Sequence, residues 1–448
     1  MQTATVVGAA TTTGATRSQP IRHLVIAWLL ILPLIFFAVG GSFSFEGAGE
    51  DAMSGGASLA GLASTGHKLG FLGYVVIPGI AYSIVLWLIV VNAKRIVSQA
   101  LQMKMITLLA LLTICSAIWS QDPFRSAYNG VFYLIETLFA FYLVLNFDTE
   151  EILSLVMMTG TSICVLSLIT VLFFPRFGLT YTARDMGAWH GVFTDRTSAG
   201  ECLVFLLSPA IIFRRRLYNR RHVVYIALVL LMIFMARSAT GRVISCLYVA
   251  LMAMISFLSR FGRRSSLLIG AAFLTAAALI ICVGLPYLPL LYEGLGRNAT
   301  LSGRTGIWAL VLRSVAKRPL LGYGFYAFWQ GLRGESANVI VGTHWVFGYA
   351  HNGILEICLQ LGLVGVAVFF ATLFQALRNA WFCLRNGCPP GVEWYVGIIA
   401  LTIMYNIDES TVLWPNDLLS ILYVVACCGL AKAARRLRDI KTIEAMYN

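Results

Sequence analysis

Charged residues are scarce in this chain of 448 residues: they make up 12%, whereas hydrophobic residues make up 59%, with a mean hydropathy of +0.80. A water-soluble globular domain typically carries about 25% charged residues. Acidic residues are especially few, 20 against 33 Lys and Arg, for a formal charge of +13. The basic residues occur in short clusters between long apolar runs, which excludes most soluble enzymes and a nucleic-acid-binding protein.

Patterns for metal binding and for disulfide formation are also missing. The chain has ten cysteines, but none has zinc-site spacing and together they give no disulfide framework. Eight lie in apolar segments, and Cys383 and Cys388 lie in a connection that we expect in the cytosol. No soluble domain and no internal repeat is visible, and we predict neither a metal nor another cofactor.

Apolar stretches dominate the chain, and about twelve can cross roughly 30 Å of hydrocarbon as helices. The first has a longer apolar run than a signal peptide, which predicts an uncleaved first helix. The sequence therefore predicts an all-α polytopic membrane protein with about 12 transmembrane helices. The predicted spans are 21–41, 70–92, 103–119, 128–147, 152–174, 197–213, 223–237, 240–258, 267–292, 349–374, 392–407 and 415–432.

The distribution of Lys and Arg predicts the orientation of these helices. With the N-terminus inside, 20 of the 33 basic residues fall in inside connections, as the positive-inside rule requires. This orientation predicts five regions in chain order: a cytoplasmic tail at 1–20, transmembrane helices 1–9 at 21–291, a large periplasmic loop at 292–348, transmembrane helices 10–12 at 349–432 and a basic cytoplasmic tail at 433–448.

The long outer connection contains a helical signal. Ser302 or Thr305 is a candidate N-cap, and Pro319 would stop the helix. Such a helix would lie on the outer membrane surface or cap the bundle. Its predicted apolar face consists of Ile307, Trp308, Val311, Leu312 and Val315.

Four arginines near predicted outer helix ends are candidate anion ligands. Arg242 begins a helix five residues after Arg237, and both could instead be interfacial side chains that reach the lipid headgroups. Arg196 follows Asp195, and a local ion pair between the two is the alternative. Arg304 begins the outer amphipathic helix, where a guanidinium beside free backbone N–H groups suits phosphate recognition, although an exposed solvated charge is also consistent with the sequence.

His351 is the most informative single residue, because it opens the helix that follows the long connection. A neutral imidazole at the boundary of the membrane could accept a proton from a hydroxyl near pH 7. Asn352 and Glu356 are spaced i to i+4, so they share a helix face and could orient a sugar. A capping or interfacial histidine is the alternative interpretation, and His190 and His344 are weaker candidates.

Acidic residues near predicted spans complete the set of candidates. Asp408 and Glu409 lie on an outside turn and could bind a metal, but no other ligand spacing supports one. Glu136, Glu201 and Glu356 fall within predicted spans or at their ends, where a carboxylate usually pairs with arginine or serves a transport pathway. The sequence does not reveal their partners.

Several outside segments together resemble the O-antigen ligase and polymerase superfamily, most closely its exopolysaccharide polymerases of the ExoQ type. The likeness covers roughly residues 100–430 and includes the long outer connection and residues 406–410. Where relatives usually show His-Lys-Asn, this chain has Asp195, Arg196 and Thr197, so the positive charge is kept. The motifs are residues 189–200 (WHGVFTDRTSAG), 302–308 (SGRTGIW), 322–324 (GYG) and 351–365 (HNGILEICLQLGLVG).

The resemblance implies a bacterial inner-membrane glycosyltransferase with a GT-C-like fold. Its donor would be a polyprenyl-pyrophosphate-linked glycan, and the active site would face the periplasm. Arg242 and Arg304 would hold the pyrophosphate with help from Arg196, and His351 would be the base for the acceptor hydroxyl. Pyrophosphate is already a good leaving group, so this metal-independent inverting transfer needs only charge stabilisation and one base.

Three alternatives differ in acceptor or in class. A polysaccharide ligase would share the donor chemistry and would transfer the glycan to lipid A core or another acceptor. A transporter or flippase of lipid-linked sugars would have repeated halves and broken helices, with Glu136 and Glu201 lining a path. A noncatalytic scaffold of an export complex is the third. The expected partners are the donor, a glycan acceptor, membrane lipids, and flippase, chain-length or export proteins, without nucleic acid.

Overall fold

The computed structural model describes residues 19–40, 76–181, 185–213, 220–258, 304–343, 348–387 and 389–447. In these ranges the chain is helical, and its extended pairing is limited to two isolated bridges. The helices of eight residues or more are α1 (Gln19–Ala38), α2 (Ile77–Val91), α3 (Ala93–Gln102), α4 (Lys104–Cys115), α5 (Pro123–Asn146), α6 (Thr149–Phe173), α7 (Arg196–Phe213), α8 (Arg220–Met235), α9 (Ala239–Leu258), α10 (Arg304–Lys317), α11 (Ser336–Thr343), α12 (Gly353–Arg385), α13 (Val392–Asp408) and α14 (Leu418–Tyr447).

Long apolar helices confirm the prediction of an all-α membrane protein. Within the described ranges a helix overlaps eleven of the twelve predicted spans, and the span at 267–292 lies outside those ranges. The count of twelve therefore stays a prediction. The bent pair α2 and α3 would add a sixth span to the five that are long and apolar enough to cross a membrane, which are Pro123–Asn146, Thr149–Phe173, Ala239–Phe257, Gly353–Arg385 and Leu418–Met446.

The chain turns by 83° between α2 and α3, where the sequence predicted a connection. Asn92 lies at the bend, and its side-chain amide donates to the Leu88 carbonyl, 2.9 Å away. Arg95 on α3 donates to the backbone oxygen of Leu145, 3.1 Å away, at the end of α5. A cation at the carbonyl end of a helix is favourable, so α3 is held against the bundle.

Helix α12 extends to Arg385, eleven residues past the predicted span. Its buried positions continue at helical spacing through Leu373, Ala376, Ala380 and Cys383, so packing rather than hydropathy sets its length. Cys383 therefore lies in α12 and not in the connection that the sequence predicted, and Cys388 lies outside the described residues. Helix α12 packs on α14. Helix α14 is the most buried of the five candidate spans, and it also contacts α5 and α13.

A break at Gly362 divides α12 into two parts. Gly362 has φ of +64°, and a Cβ there would lie 2.3 Å from the Leu320 carbonyl carbon. Leu363 N donates to Pro319 O at 2.8 Å, and Tyr323 N donates to Leu359 O at 2.7 Å. The segment 319–324 thus satisfies the backbone groups that the break releases, as membrane helices require. Two of the resemblance motifs, 322–324 and 351–365, meet here.

Residues 304–343 fold as a small cap on the first part of α12. Helix α10 begins at Arg304 and ends before Pro319, so Thr305 is not its N-cap, while Ser302 lies outside the described residues. The predicted apolar face is wrong at Leu312, which is 54% exposed, because Leu310 packs in its place. The cap has its own apolar core, formed by Ile307, Val311, Tyr323, Phe328, Trp329, Val339, Ala350 and Leu359.

Candidate active site

Glu409 joins two residues that lie far from it in sequence. Its Oε1 accepts from Arg304 Nη2 at 2.7 Å, and its Oε2 accepts from His351 Nδ1 at 2.9 Å. The carboxylate is 1% exposed, whereas the arginine and histidine side chains are 18% and 20% exposed. A buried carboxylate with two charge-assisted bonds holds both partners in place, while the two outer groups remain in reach of a ligand.

Asn406 builds the turn that carries Glu409. Its Oδ1 accepts from the backbone nitrogens of Thr411 and Val412, at 3.1 and 3.3 Å, and its Nδ2 donates to the Thr411 hydroxyl at 2.7 Å. The first residue of α12 approaches the same side chain, because a Cβ on Gly353 would lie 1.9 Å from Asn406 Oδ1. Helix α13 and helix α12 are therefore in direct contact where Glu409 meets His351.

His351 is fixed through its backbone neighbours. It has φ of +50°, a conformation that costs an L-residue about 1 to 2 kcal/mol and so needs support. Ala350 supplies that support from both sides: its carbonyl accepts from Trp308 Nε1 at 3.0 Å, and its N–H donates to Glu356 Oε2 at 2.8 Å. Helix α10 and helix α12 thus clamp the residue before His351.

Glu356 and Asn352 lie inside this framework. The buried Glu356 carboxylate also accepts from Trp329 Nε1, at 3.1 to 3.2 Å, and from Gln360 Nε2, at 2.8 Å. Asn352 caps α12 by accepting from Leu355 N, and it donates to the Ile407 carbonyl at 3.1 Å. Asn352 and Glu356, which the sequence predicted as sugar ligands, therefore make contacts that position His351.

The arrangement defines which atoms can do chemistry. Since the Glu409 carboxylate accepts from His351 Nδ1, the other ring nitrogen, Nε2, is the one that would take a proton. Arg304 presents its N–H donors in a planar fork, and a fork of this kind matches the geometry of a phosphate. The three side chains have the chemistry needed for a base, its orienting carboxylate and an anion ligand.

The other predicted arginines lie together at the starts of α7 and α9. Arg196 Nη1 donates to Arg237 O at 2.9 Å, and its Nη2 pairs with Asp185 at 2.9 Å rather than with Asp195, which caps α7. Arg237 has φ of +54°, and Arg242 is exposed and donates to the carbonyl oxygen of Ser238, the residue before α9. The alternative interpretation of Arg196, a local ion pair with Asp195, is therefore wrong, since its ion pair is with Asp185.

Two contacts relate this arginine cluster to the triad of Arg304, His351 and Glu409. Gly200 and Gly241 let α7 and α9 approach closely, and Tyr405 on α13 donates to Gly200 O at 3.4 Å. Glu201, one turn into α7, lies within electrostatic range of Arg304 and Glu409. The starts of α7 and α9 therefore lie on the same side of the bundle as the end of α13.

Sequence reasoning did not identify the aromatic residues beside the triad. The Tyr349 ring lies 4.1 Å from the His351 ring and 5.7 Å from the Trp414 ring, and Trp414 lies 5.0 Å from Tyr326. All three aromatic side chains are partly exposed. Partly exposed aromatic faces of this kind can pack against sugar rings.

Of the predicted acidic pair, the structure describes the side chain of Glu409 alone. Both Glu409 oxygens bind protein groups, and the side chain of Asp408 lies outside the described residues. No group of three or more metal-ligating side chains occurs in the described ranges. Glu136 binds the far end of the same turn, where its Oε1 accepts from Asn416 N at 2.5 Å.

Comparison with known proteins relates the chain to polysaccharide enzymes. Residues 224–370 match the O-antigen ligase family, a range that includes Arg242, Arg304 and His351. The exopolysaccharide production protein ExoQ of Rhizobium meliloti (strain 1021) is 25% identical over 186 residues, which are 40% of this chain and 42% of that protein. A candidate polysaccharide ligase of Rickettsia prowazekii (strain Madrid E) is 33% identical over 79 residues, 17% and 20% of the two chains. The matched segments thus span less than half of each relative.

Proposed function

From the O-antigen ligase match, which supports the superfamily that the motifs resemble, we propose that this chain is a membrane glycan polymerase. It joins polyprenyl-pyrophosphate-linked oligosaccharide repeat units into exopolysaccharide or O-antigen. The observation that carries the proposal is the triad, in which Glu409 binds Arg304 and His351 at 2.7 and 2.9 Å. Transfer from a pyrophosphate donor requires an oriented base beside a cationic group, and the geometry of the triad supports these roles for His351 and Arg304.

In the proposed reaction the acceptor hydroxyl loses its proton to His351 Nε2 as its oxygen attacks the anomeric carbon of the donor. The bond between that carbon and the pyrophosphate oxygen breaks, and the electron pair leaves with the polyprenyl pyrophosphate. Glu409 stabilises the imidazolium that forms, and Arg304 stabilises the charge on the leaving group. Attack opposite to the leaving group inverts the anomeric centre and needs no metal.

The arginine cluster would bind the remainder of the donor. Arg242 is exposed at the start of α9, and Arg196 and Arg237 are joined by a 2.9 Å hydrogen bond beside it. An anion there would be near the positive end of α9 as well as the guanidinium groups. We assign Arg242 to the pyrophosphate and Arg196 and Arg237 to its support, with the polyprenyl chain in the lipid.

The acceptor glycan would lie against Tyr349, Trp414 and Tyr326. These rings adjoin His351, so a sugar stacked on them would bring a hydroxyl towards the base. We place this site at the periplasmic face of the bacterial inner membrane with both termini in the cytoplasm, because that orientation puts 20 of 33 basic residues inside.

Ligase activity is the second candidate, because one matched relative carries a polysaccharide ligase name. Donor chemistry and triad would be the same, and only the acceptor would differ. Addition of a separate core acceptor to purified protein distinguishes the two. A polymerase lengthens the glycan without it, whereas a ligase consumes donor only in its presence.

The test of the proposed site compares two arginines on α10. Purified protein in metal-free detergent is given lipid-linked repeat units, and glycan length is followed on gels. Arg304→Gln should lower the rate about 100- to 1,000-fold, the usual effect of losing one stabilising donor. Arg313→Gln, an exposed residue nine positions later, should retain wild-type activity. Equal activity of the two variants would exclude Arg304 from the reaction.

A further inference from the structure

An open basic cavity lies between the last turns of α12 and α14. It has a volume of about 550 Å³ and is lined by Arg378, Trp381, Phe382, Arg385, Asn386 and Arg438. Neither the proposed reaction nor the family match assigns it a role, since the match ends at residue 370.

The cavity lies at the opposite end of the bundle from the triad. Both lining helices lead away from it: α12 begins two residues after His351, and α14 begins nine residues after Glu409. Arg438 is 20 residues beyond Leu418 on α14, which corresponds to about 30 Å of helix. That length matches the hydrocarbon thickness of a bilayer, so the cavity and the triad belong to opposite membrane faces.

The three arginines give the cavity a positive charge that the protein does not neutralise. No carboxylate lines it, and within the described ranges none of the three makes an ion pair. Arg385 lies over the Trp381 ring at 5.2 Å, and Arg438 lies over the Phe382 ring at 4.9 Å. Arg438 also donates from one nitrogen to Asn379 Oδ1, at 3.3 Å. Stacking on a ring uses none of the N–H donors of a guanidinium, so the remaining donors of these arginines can bind a phosphate.

An exposed apolar stripe on α12 leads to this cavity. Phe374, Leu377, Trp381 and Leu384 are spaced by three or four residues and so lie on one face. Phe374 is 68% exposed and Trp381 is 49% exposed, with Trp381 also lining the cavity. A soluble phosphate would use only the basic end of this surface, whereas a phospholipid would use both parts.

We propose that the cavity binds the phosphate headgroup of an anionic phospholipid, with its acyl chains along the stripe. Basic sites between transmembrane helices are suited to such headgroups, and the aromatic rings lie where an interfacial belt would be. Binding would hold the ends of α12 and α14 together. These helices carry, at their other ends, His351 and the turn that contains Glu409.

The experiment measures lipid binding to the purified full-length chain by native mass spectrometry. Long-chain phosphatidylglycerol and cardiolipin should bind more tightly than phosphatidylcholine. Arg385→Gln and Arg438→Gln, measured separately, should each weaken cardiolipin about five-fold, as expected for one surface charge. Arg436→Gln is the control, because it also removes one positive charge from α14. Arg436 is exposed and does not line the cavity, so the cardiolipin affinity of this variant should match that of wild type.

Two results would overturn the proposal. One is equal loss of affinity in all three variants, which would indicate attraction to the basic helix end as a whole. The other needs only wild type: if inorganic pyrophosphate or dihexanoyl phosphatidylglycerol displaces long-chain lipid at equal concentration, the site recognises a soluble phosphate. Thermal unfolding of each variant in detergent shows whether it is folded, and a folded variant with unchanged cardiolipin affinity contradicts the assignment of its arginine.

Discussion

At the scale of single residues, Glu409 distinguishes this site from a set of separate charges. Its two oxygens bind different partners, so one buried carboxylate sets both the tautomer of His351 and the position of Arg304. An acid in this role need not touch the substrate. Its removal should change the rate of transfer more than the affinity for donor or acceptor.

Glu409→Gln should therefore lower kcat by about 100- to 10,000-fold, because the amide can donate to His351 and favour the wrong tautomer. The KM values should change little. Glu335→Gln is the matched control, since Glu335 is an acid of the cap that pairs with Lys317 away from the triad. Steady-state elongation rates of the folded variants provide the measurement. If the Glu409→Gln enzyme had the kcat of wild type, the Glu409 carboxylate would have no part in the mechanism.

Trp414→Ala should act on acceptor binding. Loss of one stacking face beside Tyr349 should raise the acceptor KM about 5- to 10-fold, a change consistent with the energy of aromatic contacts. The donor KM should stay near that of wild type. Separate titrations of donor and of a soluble acceptor glycan provide the two values. An increase confined to the donor KM would place the glycan elsewhere.

The sequence predicted the members of the triad one at a time, because each occurs at a helix end or within a short motif. Their contact depends on how the segments 304–343, 348–352 and 409–417 pack against the bundle, and no sequence periodicity encodes that packing. The same limit applies to Tyr349 and Trp414. Each lies close to residues with positive φ: His351 follows Tyr349, and Leu413 and Asn416 flank Trp414.

At the scale of elements, the break in α12 determines where His351 lies. Hydropathy could not reveal it, since residues 357–366 are as apolar as the rest of the span. Helix propensity alone would give a straight helix with two unfavourable glycines, Gly362 and Gly365. Only the segment 319–324, which supplies the replacement hydrogen bonds, makes the broken form stable.

Gly362→Ala should lower the free energy of unfolding by about 2 to 5 kcal/mol, since it combines a positive φ with a backbone clash. Activity should fall even in protein that remains folded, because the first part of α12 would move. Gly306→Ala is the control: Gly306 lies in α10, and a Cβ there has no neighbour within 4 Å. Thermal unfolding in detergent measures the stability of both variants. Equal midpoint temperatures would contradict the strained backbone at Gly362.

At the scale of the whole molecule, the bundle separates two charged regions. The triad and the arginine cluster lie at one end, and the basic cavity lies at the other, with α14 buried between them. The sequence predicted the membrane class and the places of most helices. It did not predict the 83° bend after α2 or the length of α12, because packing against neighbours determines both.

The orientation of the bundle can be tested with fusions. With the proposed topology, alkaline phosphatase fused after residue 448 should be inactive in cells, whereas green fluorescent protein at the same site should fluoresce. Phosphatase inserted at the turn between Gly331 and Gly334 should be active, because that turn lies in the cap above α12. The opposite pattern would place the triad in the cytoplasm.

The most direct test of the central claim is glycan formation by purified wild type and His351→Ala with polyprenyl-pyrophosphate-linked repeat units in metal-free lipid bilayers. Donor binding and thermal unfolding confirm that the variant is folded. Wild type should lengthen the glycan, and the variant should bind donor while elongating at least about 100-fold more slowly, as expected for loss of a general base. A folded His351→Ala protein that polymerises at the wild-type rate would contradict the account.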